Sequence, residues 1–152
     1  MVEYTKELNV IMGLCTFIMW LKFFITLQIG GAKSHATGNR TKEDLNSDKK
    51  TEDITQEMKD DEVRWWYIEL NDIENLPYAL ILFWASRFLV VNNSGGQLTL
   101  CITFPIYVAS RILHTFSFAY ALLIPRVLCF VISVTCMCVC GLDGIVCSFI
   151  DL

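Results

Sequence analysis

Four apolar stretches divide the chain and limit its folds more than any other feature: about Leu8 to Ala32, Leu76 to Val91, Leu98 to Leu123, and Val127 to Ile150. A helix crossing the hydrocarbon core of a bilayer needs about 20 mostly apolar residues. The first, third and fourth stretches have that length as they stand. The second reaches it only by starting earlier, near Trp65, which draws Asn71, Asp72 and Glu74 into the span. The sequence therefore predicts an all-α, integral membrane four-helix bundle. Its single domain covers residues 1–152, with spans at about 8–32, 65–91, 98–123 and 126–150. Composition agrees, because 18% of the residues are charged where soluble domains average about 25%. With a net charge of −4, nucleic acid is a poor partner, since no basic surface is available for a phosphate backbone.

The first stretch resembles a signal peptide only superficially. It is longer than a signal core, carries Lys22 near its middle and lacks a small-residue cleavage site, so it is expected to stay as helix one. The segment 33–64 is the one long polar region, and it has too little apolar content to bury. A mobile loop or a marginal helix is expected there. It carries Lys33, Arg40, Lys42, Lys49, Lys50, Lys59 and Arg64, which by the positive-inside rule predicts a cytosolic loop with both termini on the opposite side. The seven Cys all lie in apolar stretches without CxxC spacing. No metal is expected. Cys136, Cys138 and Cys140 step about 200° round a helix each time and read as packing residues.

Charged groups inside a span cost roughly 2.5 to 3.5 kcal/mol each, so a cluster of them needs a reason. Helix two carries Asn71, Asp72 and Glu74, and Asn71, Glu74, Asn75 and Tyr78 share one face. Helix three carries Arg111, His114 and Thr115, and Arg126 opens helix four. The predicted topology puts all three groups in the same half of the bilayer. One reading is structural: Asp72 and Arg111 form an ion pair that holds two helices in register. Lys22 is expected to pair with a carboxylate of helix two. Arg126 has no acid near it in sequence, and it turns the cluster into a candidate site for a small zwitterion with carboxylates and an amine. The residues alone also allow an ion transporter built on Glu74, Arg111 and His114.

At these positions the sequence resembles a known family. Leu70-Asn71-Asp72-Ile73-Glu74-Asn75 followed by Pro77, and Arg111-Ile112-Leu113-His114-Thr115, are similar to the two signature stretches of the MAPEG superfamily, the membrane-associated proteins of eicosanoid and glutathione metabolism. The likeness is nearest to the microsomal glutathione S-transferase branch. It implies a homotrimer in the endoplasmic reticulum membrane, with the mitochondrial outer membrane as a second location, that binds glutathione between neighbouring subunits as co-substrate and acts on lipophilic small molecules as a transferase or peroxidase. By the same resemblance Arg126 is catalytic and stabilises the thiolate, Asn71 and Glu74 hold the tripeptide, His114 binds its backbone, and Arg111 braces Asp72 and contacts the ligand. The superfamily also includes a non-catalytic, lipid-binding branch, which is the alternative function. The chain departs from the family pattern at Phe118 and Phe130, where Tyr is common or used in some branches. It departs again at Tyr67 and Glu69, where basic residues or His are frequent, and at Val127, where the prostaglandin E synthase branch has Ser.

Overall fold

The computed structural model describes residues 5–37 and 54–150, and these form four helices with no strand among them. The helices are α1 (Thr5–Thr37), α2 (Gln56–Leu89), α3 (Ser94–Ala119) and α4 (Leu123–Ile150). By length and composition α1, α3 and α4 are apolar enough to cross a membrane. Helix α2 has 34 residues, or about 50 Å at 1.5 Å per residue, but its polar groups lower its hydropathy. Side chains such as Phe17, Trp20, Ile81, Phe88, Leu128 and Phe149 point outward, as they do where the solvent is lipid rather than water. The chain is an all-α, multi-pass membrane protein.

The helix boundaries differ from the hydropathy-based ones at the polar end of the bundle. Helix α2 begins at Gln56 rather than near Trp65, and α1 runs on to Thr37. These extensions lie outside the apolar windows and are held by polar contacts instead. The Thr55 hydroxyl caps α2 by accepting from the Met58 amide at 3.3 Å. Lys33 pairs with Asp61 at 2.5 Å, and the Thr37 hydroxyl donates to Glu62 at 2.6 Å. The two helices also come close at Gly30, where an added Cβ would displace the Glu69 carboxylate. Asn39, Arg40, Lys42, Lys49 and Lys50 of the expected loop lie outside the described residues.

Helix α1 packs on α2 and α3, and α4 packs on the same two from the other side, so α1 and α4 do not touch within the described residues. The core runs through Leu8, Met12 and Met19 of α1, Ala79 and Phe83 of α2, Leu100, Phe104 and Tyr107 of α3, and Cys136, Cys140 and Cys147 of α4. Phe83 stacks on Phe104 with ring centroids 4.3 Å apart. The buried face of α4 is small throughout: Cys129, Ser133, Cys136, Cys140, Gly144 and Cys147. Small side chains let helices approach closely in lipid, where packing and polar contacts drive association. The Ser110 and Ser133 hydroxyls accordingly meet at 2.7 Å, and the Ser86 hydroxyl donates to the Cys140 carbonyl at 3.2 Å.

The α3–α4 turn fixes where Arg126 falls. The Leu122 amide donates to the Ser117 carbonyl at 2.7 Å and the Ala121 amide to Phe118 at 3.0 Å, the paired bonds of a Schellman ending. That ending needs a left-handed residue, and here Ala121 takes the role at φ 57°, with the Cβ strain glycine avoids. Arg64 of α2 adds a bond from its guanidinium to the free Ala119 carbonyl at 3.2 Å. Pro125 follows in the first turn of α4, where a missing amide proton costs nothing.

Candidate functional site

Three helices meet at Asp72, which is 1% exposed. Lys22 of α1 bonds one of its carboxylate oxygens, and Arg111 of α3 donates to the other at 3.0 Å. The same guanidinium nitrogen of Arg111 donates to the Asn71 side-chain oxygen at 2.6 Å. Two cations face one carboxylate, so this layer carries one excess positive charge. Arg111 is also 1% exposed, and its Nε has no partner among the described residues. One turn earlier on α3, the buried Tyr107 hydroxyl is likewise unpartnered. Asp72 and Arg111 are thus in direct contact, and Lys22 shares the same acid.

A second group sits closer to the α3–α4 turn. The Ser110–Ser133 contact sets the register of α3 against α4. Counting seven residues from there to Arg126 puts it about 10 Å further along the bundle. Its guanidinium carbon lies 4.6 Å from the centroid of the Phe118 ring, and Phe118 meets His114 edge-on at 6.1 Å. His114 is buried, while Arg126 is half-buried and has no carboxylate partner among the described residues. A cation in the first turn of a helix opposes the helix dipole. Together they make this corner a concentrated source of positive potential, suited to an anion.

Glu74 stands apart from both groups. It is exposed on the outward face of α2, beside the exposed Ile73 and Tyr78, and makes no ion pair among the described residues. Asn71 is half-buried on the same face. The structure therefore brings Lys22, Asn71, Asp72 and Arg111 into one network and joins Arg126 to Phe118, with His114 between the two, within electrostatic reach of Arg111, Lys22, Asp72 and Arg126. Within one protomer it does not bring Glu74 to Arg126. Phe118 was not among the residues expected to act, although its four-residue spacing from His114 places the two on one face of α3. The pairing of Arg87 with the Asn9 side chain, at 3.1 and 3.0 Å, also went unread, because its partners lie far apart in sequence.

Long apolar helices around a buried layer of paired charges define a polytopic membrane protein with a charged interior layer. The model of the MAPEG family matches residues 10–144, and the chain belongs to that family. The family contains membrane glutathione transferases and peroxidases as well as non-enzymatic members. No curated protein and no solved structure matches the chain.

Proposed function

We propose that this protein is a membrane-bound glutathione transferase, with glutathione peroxidase activity on lipid hydroperoxides as the related reaction. The observation that carries this reading is Arg126: a permanent cation, half-buried, with no neutralising acid among the described residues, seated on the Phe118 ring whose other neighbour is buried His114. A free thiol has a pKa near 8.5, and only the thiolate is a good nucleophile. A fixed cation beside sulfur raises the thiolate fraction at neutral pH, and an arginine does so without titrating itself. The thiolate then attacks an electrophilic carbon. With a hydroperoxide it takes the outer oxygen to become a sulfenic acid as the alcohol leaves, and a second glutathione thiol displaces that oxygen as water to form the disulfide.

The remaining residues take supporting roles in this reading. Asn71, its amide oxygen fixed by Arg111, and Glu74 hold the tripeptide, and His114 binds its backbone. Arg111 braces Asp72 and contributes positive charge. An extended tripeptide spans about 10 Å, comparable to the separation of the two positive levels. A Glu74 carboxylate left facing lipid would cost roughly 2.5 to 3.5 kcal/mol, which favours a second copy against α2; the homotrimer with glutathione at the subunit boundary is what the family resemblance implies. Helix α2 is then the fourth span, in the endoplasmic reticulum membrane, with the 38–53 connection in the cytosol.

A second reading, a non-catalytic lipid-binding scaffold, draws on one feature. An apolar groove of about 300 Å³ lies between α1 and α3, lined by Ile18, Ile25, Ile29, Trp65, Ile112 and Phe116. One experiment separates the two readings. Glutathione is added to the purified protein and thiolate formation is followed by ultraviolet absorption, with Arg126→Ala in parallel. The transferase reading expects a thiolate signal that the variant loses. Binding without thiolate transfers the function to the scaffold reading. Charge-coupled flux in proteoliposomes without glutathione binding would replace both with a transporter.

A further inference from the structure

We propose that Phe118 is a positioning residue that holds Arg126 for the thiolate, an inference that rests on the glutathione reading above. A guanidinium has two distinct surfaces, a flat face and a rim of five N–H donors. The Phe118 ring engages the face, with the guanidinium carbon 4.6 Å from its centroid. The rim and the full positive charge remain available to a ligand. A carboxylate in the same place would fix the side chain equally well but would consume donors and cancel the charge. Arg111 illustrates the loss of donors, since its Nη2 is shared between Asn71 and Asp72.

The surrounding structure is built to keep the ring in place. His114 meets it edge-on at 6.1 Å, and both residues sit on the same face of α3. The left-handed Ala121 and the Schellman bonds reverse the chain so that the first turn of α4 returns over that face. Arg126 thus reaches the ring by a fixed backbone route. An aromatic ring without a hydroxyl offers the guanidinium no acceptor, so nothing draws the donors away from the sulfur. Phe118 acts through Arg126 and need not touch glutathione.

The test uses purified full-length protein in nanodiscs with glutathione as the probe, comparing wild type with Phe118→Leu, Phe118→Trp and Arg126→Ala. The pH profile of thiolate absorption is read alongside glutathione affinity by calorimetry. Other charged groups of the region, Lys22, Asp72, Glu74 and Arg111, stay unchanged. Phe118→Leu is expected to lower the thiolate fraction at neutral pH about three- to tenfold while changing glutathione affinity less than about twofold. Phe118→Trp, which keeps a ring for the guanidinium, restores the wild-type profile and controls for misfolding. An unshifted profile in Phe118→Leu, with Arg126→Ala still losing the thiolate, overturns the role of Phe118 and leaves the transferase reading intact. No thiolate in wild type overturns both.

Discussion

The two arginines of the polar region sit about 10 Å apart along the bundle and do opposite things. Around Arg111 the charge is partly offset: Asp72 is shared with Lys22, and Asn71 takes a further bond. Around Arg126 there is a ring on one side and no acid among the described residues. The anchored guanidinium of Arg111 ties α3 to α1 and α2 through a common carboxylate. An unneutralised one leaves a positive potential directed at whatever enters. Under the proposed function, residue type does not separate a structural from a reactive arginine; the company each keeps does.

The comparison is broken most directly at Asp72. Asp72→Asn leaves Lys22 and Arg111 buried without their acid, and loss of one partner in a buried pair costs about 3 to 5 kcal/mol. The expected result is a large drop in the thermal midpoint of the detergent-solubilised protein. An unchanged midpoint would show that the inner layer is not structural. Arg126→Ala should behave in the opposite way, with little change in midpoint and a loss of turnover of about 10² to 10³, as for removal of a single anion-stabilising donor. A variant that unfolds instead would erase the distinction between the two levels.

Glu74→Gln sharpens the picture at the outer face. Glutathione affinity should fall by about tenfold, the scale of one lost charge-assisted hydrogen bond, with thiolate formation in the bound fraction preserved. Equal binding by calorimetry would remove Glu74 from the site. The smallest effect is expected at the turn. Ala121→Gly relieves a left-handed alanine and should stabilise by about 1 kcal/mol, read as a modest rise in midpoint with turnover unchanged. A lower midpoint would mean that the added backbone freedom outweighs the relief.

Much of this architecture could be read from the sequence because lipid imposes a strict rule: long apolar runs must be helices, and any charge within them needs an explanation. Asp72, Arg111, Lys22 and Arg126 were conspicuous for that reason. The extension of α2 back to Gln56 was not, since nothing apolar marks it. Its support comes from Lys33, Thr37 and Gly30, which precede it by some 20 residues or more and meet it only once the hairpin forms. Phe118 was hidden differently. A phenylalanine in an apolar helix looks like ordinary packing until the backbone turn at Ala121 carries a guanidinium onto it.

The Lys22–Asp72 pair also bears on how the protein is made. Neither α2, with its acids, nor α1, with a lysine at its centre, is an ideal passenger into lipid by itself, and α2 is the helix that falls short on hydropathy. Joined as a hairpin, the two cancel their charges before either is stranded. Biogenesis is therefore expected to deliver them together, so that the first half of the chain enters the translocation machinery as one unit and α2 owes its residence in the bilayer to its predecessor.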